Sequence, residues 1–270
     1  MIGDYCIASV SERDIVKTFE CGQCFRWNAD SDGVYRGIAF GFPAEVYEDG
    51  ANVFVRSEAP DSLWHDYFDM ELDYARASDF NAGDYLQSCV DAGFGIRILR
   101  QEPWEALCSF IISQCNNIPR IKGIVERLCS EYGESVSFNG REYRTFPSAD
   151  VLSKLGESDL SVIRSGYRAE YIINAAKAVA DGTIDLERLS SVDWVSAKKE
   201  LLSIRGVGEK VANCVVLFGL HHLEAFPVDV WIRRALKEHF PRDFMPETLG
   251  PYAGLAQQYI FYSARSLEGK

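Results

Sequence analysis

The sequence predicts an α+β protein, with an N-terminal antiparallel β-sheet lobe over residues 1–83 and an all-α region over residues 84–270. Three observations carry this. The first part holds short alternating or β-branched runs punctuated by Asp-Gly and Gly-Phe-Pro turn signals. From about Asp84 the apolar spacing changes to a helical rhythm. No internal repeat or low-complexity linker separates the two patterns, so the lobes are expected to pack closely.

Taken in order, the run from Val34 to Phe40, then Ala44–Tyr47 and Asn52–Arg56, read as strands of one sheet. Pro103 suits a first helical turn, ahead of the apolar positions Leu107, Phe110 and Ile111. Helices are expected next at Ile121–Tyr132 and at Tyr171–Ala180, the latter closed by Asp181-Gly182. Four more are expected near Trp194–Ile204, Glu209–Gly219, Val230–Phe240 and Tyr252–Arg265.

The chain has 270 residues, enough for a large core. It has no run of about 18 apolar residues, and its start lacks a basic stretch followed by an apolar one. Neither a membrane span nor a secretory signal is expected. Eight scattered cysteines read as the reduced thiols of a protein of the cytoplasm or nucleoid, or of the nucleus in a eukaryote. Cys21-Gly-Gln-Cys24 lacks the second ligand pair or the thioredoxin-like context that a zinc or redox site needs. The net charge of −12 argues against a phosphate-tracking protein. Its distribution softens the objection: residues 1–100 carry 18 acids against 8 bases, and the remainder 22 against 20.

The most informative stretch runs from Leu201 to Val230. A helix end is followed by the turn Gly206-Val207-Gly208, and Lys210 then opens a second helix, giving a helix–hairpin–helix over about residues 194–219. Glycines leave backbone N–H groups open to approach, and a helix N-terminus adds partial positive charge. Such a turn holds a phosphate without basic side chains and brings an amine beside it. For Lys210 to act as a nucleophile its pKa, ordinarily ~10.4, must fall by roughly 3–4 units, a cost of about 4–5 kcal/mol. Burial and a helix N-terminus both push that way; a surface lysine contacting phosphate is the bland reading. Asp229, behind Phe226-Pro227-Val228, is an ordinary N-cap, and a carboxylate so fixed can also steady positive charge. Gln257 and Phe261 lie four apart and share a helix face. They could be an exposed amide beside a core ring, or an amide and a stacking platform for a base.

The whole segment resembles the helix–hairpin–helix and Gly/Pro-Asp element of base-excision DNA glycosylases. Four further blocks are similar to the 8-oxoguanine DNA glycosylase/AP lyase family and run in its order. They are GQCFRW (Gly22–Trp27), CNNIPRI (Cys115–Ile121), GYRAEY (Gly166–Tyr171) and GPYAGLAQQYIFYSAR (Gly250–Arg265). The resemblance implies a bifunctional enzyme that extrudes 8-oxoguanine from duplex DNA, excises it through a lysine Schiff base, and nicks the strand by β-elimination. It puts the nucleophile at Lys210 and the catalytic carboxylate at Asp229. The base pocket falls at Gly22, Gln257, Phe261 and Cys214, where a buried acceptor at Gly22 would reward the N7–H that guanine lacks. Asn116, Asn117, Arg120, Tyr167 and Arg168 would fill the vacated stack and read the orphaned cytosine, and Gly206, Val207 and Gly208 would hold the phosphate.

The resemblance further implies a monomer that binds double-stranded DNA containing 8-oxoguanine and uses no organic cofactor or catalytic metal. A monovalent or calcium-type cation at the hairpin is the one ion it allows. Two positions depart from the family. Cys115 replaces an asparagine that reads the orphan base in better-known members, which predicts looser opposite-base selectivity. Trp231 replaces a histidine near the phosphates. Two other classes compete: a superfamily glycosylase for other damaged bases, and a non-catalytic helix–hairpin–helix module. Lys210 with Asp229 weighs against the module. The absence of a four-cysteine C-terminal cluster weighs against the iron–sulfur adenine enzymes.

Overall fold

The computed structural model describes residues 2–9, 13–80 and 83–268. Five antiparallel strands form the N-terminal sheet: β1 (Gly3–Ser9), β2 (Asn28–Ala29), β3 (Tyr35–Ala39), β4 (Phe42–Asp49) and β5 (Asn52–Ser57). Their order is β1-β5-β4-β3-β2. The three central strands fall where alternation places them. The edge strand β1 pairs with β5 through a bulge between Cys6 and Ala8 and was not anticipated, because its mixed GDYCIAS run carries no clear period. Beneath the sheet, Phe19 stacks on Trp27 at 4.6 Å, and Trp27 donates from Nε1 to the Tyr67 hydroxyl at 2.7 Å. With Trp64 and Phe68 they fill the smaller of two cores.

Among the described residues there are also thirteen α-helices. Four short or early ones are α1 (Ile15–Glu20), α2 (Asp61–Tyr67), α3 (Tyr74–Ala77) and α4 (Asp84–Gly93). Then follow α5 (Pro103–Ile112), α6 (Ile118–Tyr132), α7 (Ala149–Ser153), α8 (Arg168–Ala180) and α9 (Leu186–Leu189). The last are α10 (Trp194–Leu201), α11 (Glu209–Phe218), α12 (Val230–His239) and α13 (Ala253–Glu268). Pro103 does open α5, and Leu107, Phe110 and Ile111 are buried as expected. Helix α6 starts three residues earlier than periodicity suggests, because Asn117 caps it.

The helical region is not purely α. A ribbon of β6 (Ser135–Phe138) and β7 (Arg141–Arg144) interrupts it. Asn139 and Gly140 both have positive φ at its turn, the geometry that the Asn-Gly pair favours in a two-residue hairpin. The Asn-Gly pair is a local hairpin signal, but no strand was expected in this region from the sequence.

The larger core is helical, yet Cys21 and Phe25 from the N-terminal part belong to it. Helix α4 packs on α13, where a Cβ on Gly93 would stand 2.5 Å from the Tyr259 ring. Cys21 and Cys24 are both buried and free. Burial pushes the Cys21 thiol up to about 12, and it donates to the Thr18 carbonyl at 3.2 Å. Among the described residues, no group of three or more His, Cys, Asp or Glu side chains could hold a metal ion. None of their helices is long and apolar enough to cross a membrane.

Candidate active site

The hairpin is built as its glycines require. Gly206 has φ +94°, and a Cβ there would stand 2.2 Å from the Tyr171 ring. Gly208 precedes α11 in extended conformation with open space around it and no side-chain cap on the helix. The first N–H groups of α11 are therefore available to an incoming anion. Val207 differs: its side chain is buried and its own N–H donates to the Ile204 carbonyl at 3.0 Å. The Gly206 carbonyl accepts from Gln114 Nε2 at 3.1 Å, which ties the turn to the loop after α5.

Lys210, in the first turn of α11, reaches away from the hairpin. Its Nζ donates to Ser113 Oγ at 2.9 Å and lies 5.2 Å from the Phe110 ring centroid. One helical turn on, the buried Cys214 thiol is held above its ordinary pKa by burial, while the neighbouring Lys210 charge pulls it down and Asp229 pushes it up. Both charges thus act on one thiol, which sits among them as a neutral side chain at neutral pH. Asp229 caps α12, and its Oδ1 accepts from Ile232 N–H at 2.9 Å.

These residues open onto a cleft of about 740 Å³, the size of a ligand pocket. Its lining includes Gly22, Asn116, Asn117, Gly208, Lys210, Cys214, Asp229, Gln257 and Phe261, all named from sequence. Trp231 lines it too. Gln257 is 4% exposed, and its Oε1 is buried without a hydrogen-bond partner among the described residues. Gly22 adopts φ +83°; a Cβ there would meet Ile118 Cδ1 at 2.9 Å and the Phe261 ring at 3.4 Å. Side chains pin its turn. Gln258 Nε2 donates to the Cys21 carbonyl at 3.0 Å. The buried Gln23 amide donates to the Thr18 and Arg97 carbonyls and accepts from Leu99 N–H at 2.9 Å.

The opposite-base candidates are arranged differently. Asn117 accepts from Arg120 N–H at 3.0 Å as a helix cap, and Asn116 Nδ2 donates to the Ile112 carbonyl at 3.1 Å. Arg120 is exposed and stands outside the cleft lining. Tyr167 is 52% exposed, with its ring edge-on to Tyr171 at 5.6 Å. Arg168, by contrast, is buried. Its guanidinium stacks 4.5 Å from the Tyr167 ring centroid and donates to the carbonyls of Gln114, Cys115 and Ser165. Cys115 itself holds φ +48° and is exposed.

Sequence reasoning missed Ser113, Gln114, Gln258 and Arg265. The first two act across 97 and 92 residues, so no local pattern reveals them. Arg265 was legible: it lies four residues past Phe261 on the same helix and lines the same cleft.

A hairpin-borne lysine beside a capping aspartate places the chain among helix–hairpin–helix base-excision proteins. Residues 108–246 match the profile of the HhH-GPD superfamily of base excision DNA repair proteins, and residues 6–107 match that of the 8-oxoguanine DNA glycosylase N-terminal domain. The chain belongs to the 8-oxoguanine DNA glycosylase family. A probable N-glycosylase/DNA lyase of Methanothermobacter thermautotrophicus is 31% identical over 227 residues, 73% of this chain and 72% of that protein. The N-glycosylase/DNA lyase OGG1 of Arabidopsis thaliana is 31% identical over 281 residues, covering 93% and 77%. Among solved structures, MBOgg1 with a low-affinity DNA ligand gives a TM-score of 0.91 at 35% identity, covering 100% of this chain and 96% of that one. The Clostridium acetobutylicum 8-oxoguanine glycosylase/lyase, bound to duplex DNA with cytosine opposite 8-oxoguanine, gives 0.88 at 32%, covering 99% and 98%.

Proposed function

We propose that this chain excises 8-oxoguanine from duplex DNA and then nicks the abasic strand, with Lys210 as nucleophile and Asp229 as its electrostatic partner. One observation carries the assignment of roles. The Lys210 amine, the Asp229 carboxylate and the unpartnered Gln257 carbonyl beside Phe261 line a single cleft.

The extruded base stacks on Phe261, its Watson–Crick edge meets Gln257, and its N7–H meets the Gly22 carbonyl. The Lys210 amine, once it has given up its proton, forms a bond to C1′ as the C1′–N9 bond breaks and the base departs with the electron pair and a proton. Asp229 stabilises the positive charge that develops on the sugar. Opening of the C1′–O4′ bond leaves an imine. Loss of a C2′ proton with cleavage of the C3′–O bond then severs the strand. The N–H groups of Gly208 and the start of α11 hold the phosphate, with Val207 as a packing residue of the turn.

Tyr167 wedges into the vacated stack, while Arg120 and Arg168 donate to the orphaned cytosine beside Asn116 and Asn117. For Arg168 this requires release of the loop carbonyls it holds. A hairpin cation would draw on hard carbonyl oxygens. The Ile204 and Gly206 carbonyls each accept one hydrogen bond and keep a second lone pair, so they and the Arg205 and Val207 carbonyls are the candidates to supply it. One chain provides every group named, and a monomer suffices.

Sodium borohydride trapping on a duplex with one 8-oxoguanine opposite cytosine tests the reading. The expected result is a covalent adduct with the natural chain and none with Lys210→Gln. Release of base without an adduct would discard the Schiff base, and neither product would discard the substrate.

A further inference from the structure

Gln257, Phe261 and Arg265 follow at four-residue steps along α13 and so form one stripe, and all three line the cleft. The first two have roles above. The third carries a buried donor with nothing to bind: Arg265 Nη1 is shielded from solvent and makes no hydrogen bond among the described residues. It lies close to the base-reading turn. A Cβ built on Gly22 would stand 3.5 Å from Arg265 Nη1 and 3.4 Å from the Phe261 ring. Its positive charge also reaches the Cys21 thiol. The neighbouring Gln258 is spent on the Cys21 carbonyl.

We propose that Arg265 is a specificity-determining residue that donates a hydrogen bond to a carbonyl oxygen flanking N7 of the extruded 8-oxopurine. The inference rests on the pocket reading of Gly22, Gln257 and Phe261 given above. With N7–H directed at the Gly22 carbonyl, the neighbouring groups on the base are O6 and O8, both acceptors. A guanidinium offers donors only, so it rewards a carbonyl and penalises an amino group or a C–H in its place. A buried donor left unmet costs more than the bond itself contributes, which makes the penalty selective. Gly22 would read the hydrogen that oxidation adds at N7, and Arg265 would read an oxygen beside it.

Single-turnover excision by the natural chain, Arg265→Ala and Arg265→Lys tests this on three duplexes. They carry 8-oxoguanine, 8-oxoadenine (an amino group replaces O6) and 8-thioguanine (sulfur replaces O8). Strand cleavage at a preformed abasic site, which leaves the pocket empty, runs in parallel. Arg265→Ala is expected to slow 8-oxoguanine excision by roughly 10- to 100-fold, with partial recovery in Arg265→Lys and little change in abasic-site cleavage. An O6 contact shrinks the Ala penalty on 8-oxoadenine, and an O8 contact shrinks it on 8-thioguanine. Equal loss in excision and abasic cleavage would mean a phosphate or purely structural role and overturn the proposal. So would an unchanged excision rate, or a penalty that stays the same on both analogues. A natural chain inactive on 8-oxoguanine would instead fail the pocket reading itself, before any variant is compared.

Discussion

The two sides of the cleft are prepared to different degrees. On the side of α11 and α13, polar groups stand ready: Lys210 is held by Ser113, Asp229 is fixed as a cap, and Gln257 and Arg265 each present a buried atom without a partner. On the side of Cys115 to Arg120 and Tyr167 to Arg168, most hydrogen-bonding capacity is spent within the protein. Asn116, Asn117 and Arg168 bind their own backbone. The contrast shows where binding energy goes. On the proposed roles, the pocket would meet the base without rearranging, whereas reading the orphaned partner would exchange existing bonds for new ones. Pre-arranged groups lower the cost of the chemical step, and exchanged ones contribute mainly to discrimination.

The largest effect should come from emptying the prepared side. Lys210→Gln is expected to abolish the borohydride adduct and to lower excision on the order of 10³-fold or more, as loss of a nucleophile does. Asp229→Asn keeps a good capping side chain, so thermal stability should hardly move while excision falls about 10²- to 10³-fold. Unfolding curves beside single-turnover rates would separate the two, and excision equal to that of the natural chain would remove Asp229 from the chemistry. Gly22→Ala strains a backbone at φ +83° by about 1–2 kcal/mol and crowds Ile118. Base excision should therefore suffer more than cleavage of an abasic site.

The other side should respond less, and in a base-dependent way. Arg168→Met removes the clamp on the Gln114 and Cys115 carbonyls, with an expected loss of about 10-fold, larger opposite cytosine than opposite the other bases. A uniform loss would mean that Arg168 only holds the loop. Cys115→Asn should have the smallest effect on rate opposite cytosine and the clearest on selectivity. Asparagine tolerates the φ of +48° better than cysteine does, and it brings an amide that can bond a base edge. Ratios of excision opposite C, A, G and T would show whether strictness rises.

How much of this was legible follows from sequence distance. The hairpin, the Lys210 turn, the Asp229 cap and the Gln257–Phe261 face are each written within a few residues, and local rules find them. Arg265 was equally readable as the next step of the same stripe. The Ser113–Lys210 contact, the grip of Arg168 on the loop and the Gln23 clamp each join segments dozens of residues apart, and no period encodes such meetings. The edge strand β1 was hidden for a related reason: its partner β5 lies more than forty residues on, and its own composition is mixed. The Asn139-Gly140 ribbon was the reverse case, a local signal written in two adjacent residues and not used.

The turn that presents Gly22 hangs on an amide bolted to Thr18, Arg97 and Leu99, all within the stretch 6–107 that matches the N-terminal domain profile. Lys210 and Asp229 lie wholly beyond it. On the proposed roles, one element of base reading, the Gly22 turn, is held from that stretch, while Gln257, Phe261 and the chemistry lie together in the part that follows. A change confined to the first stretch could therefore alter one contact of base reading while leaving Lys210 and Asp229 in place.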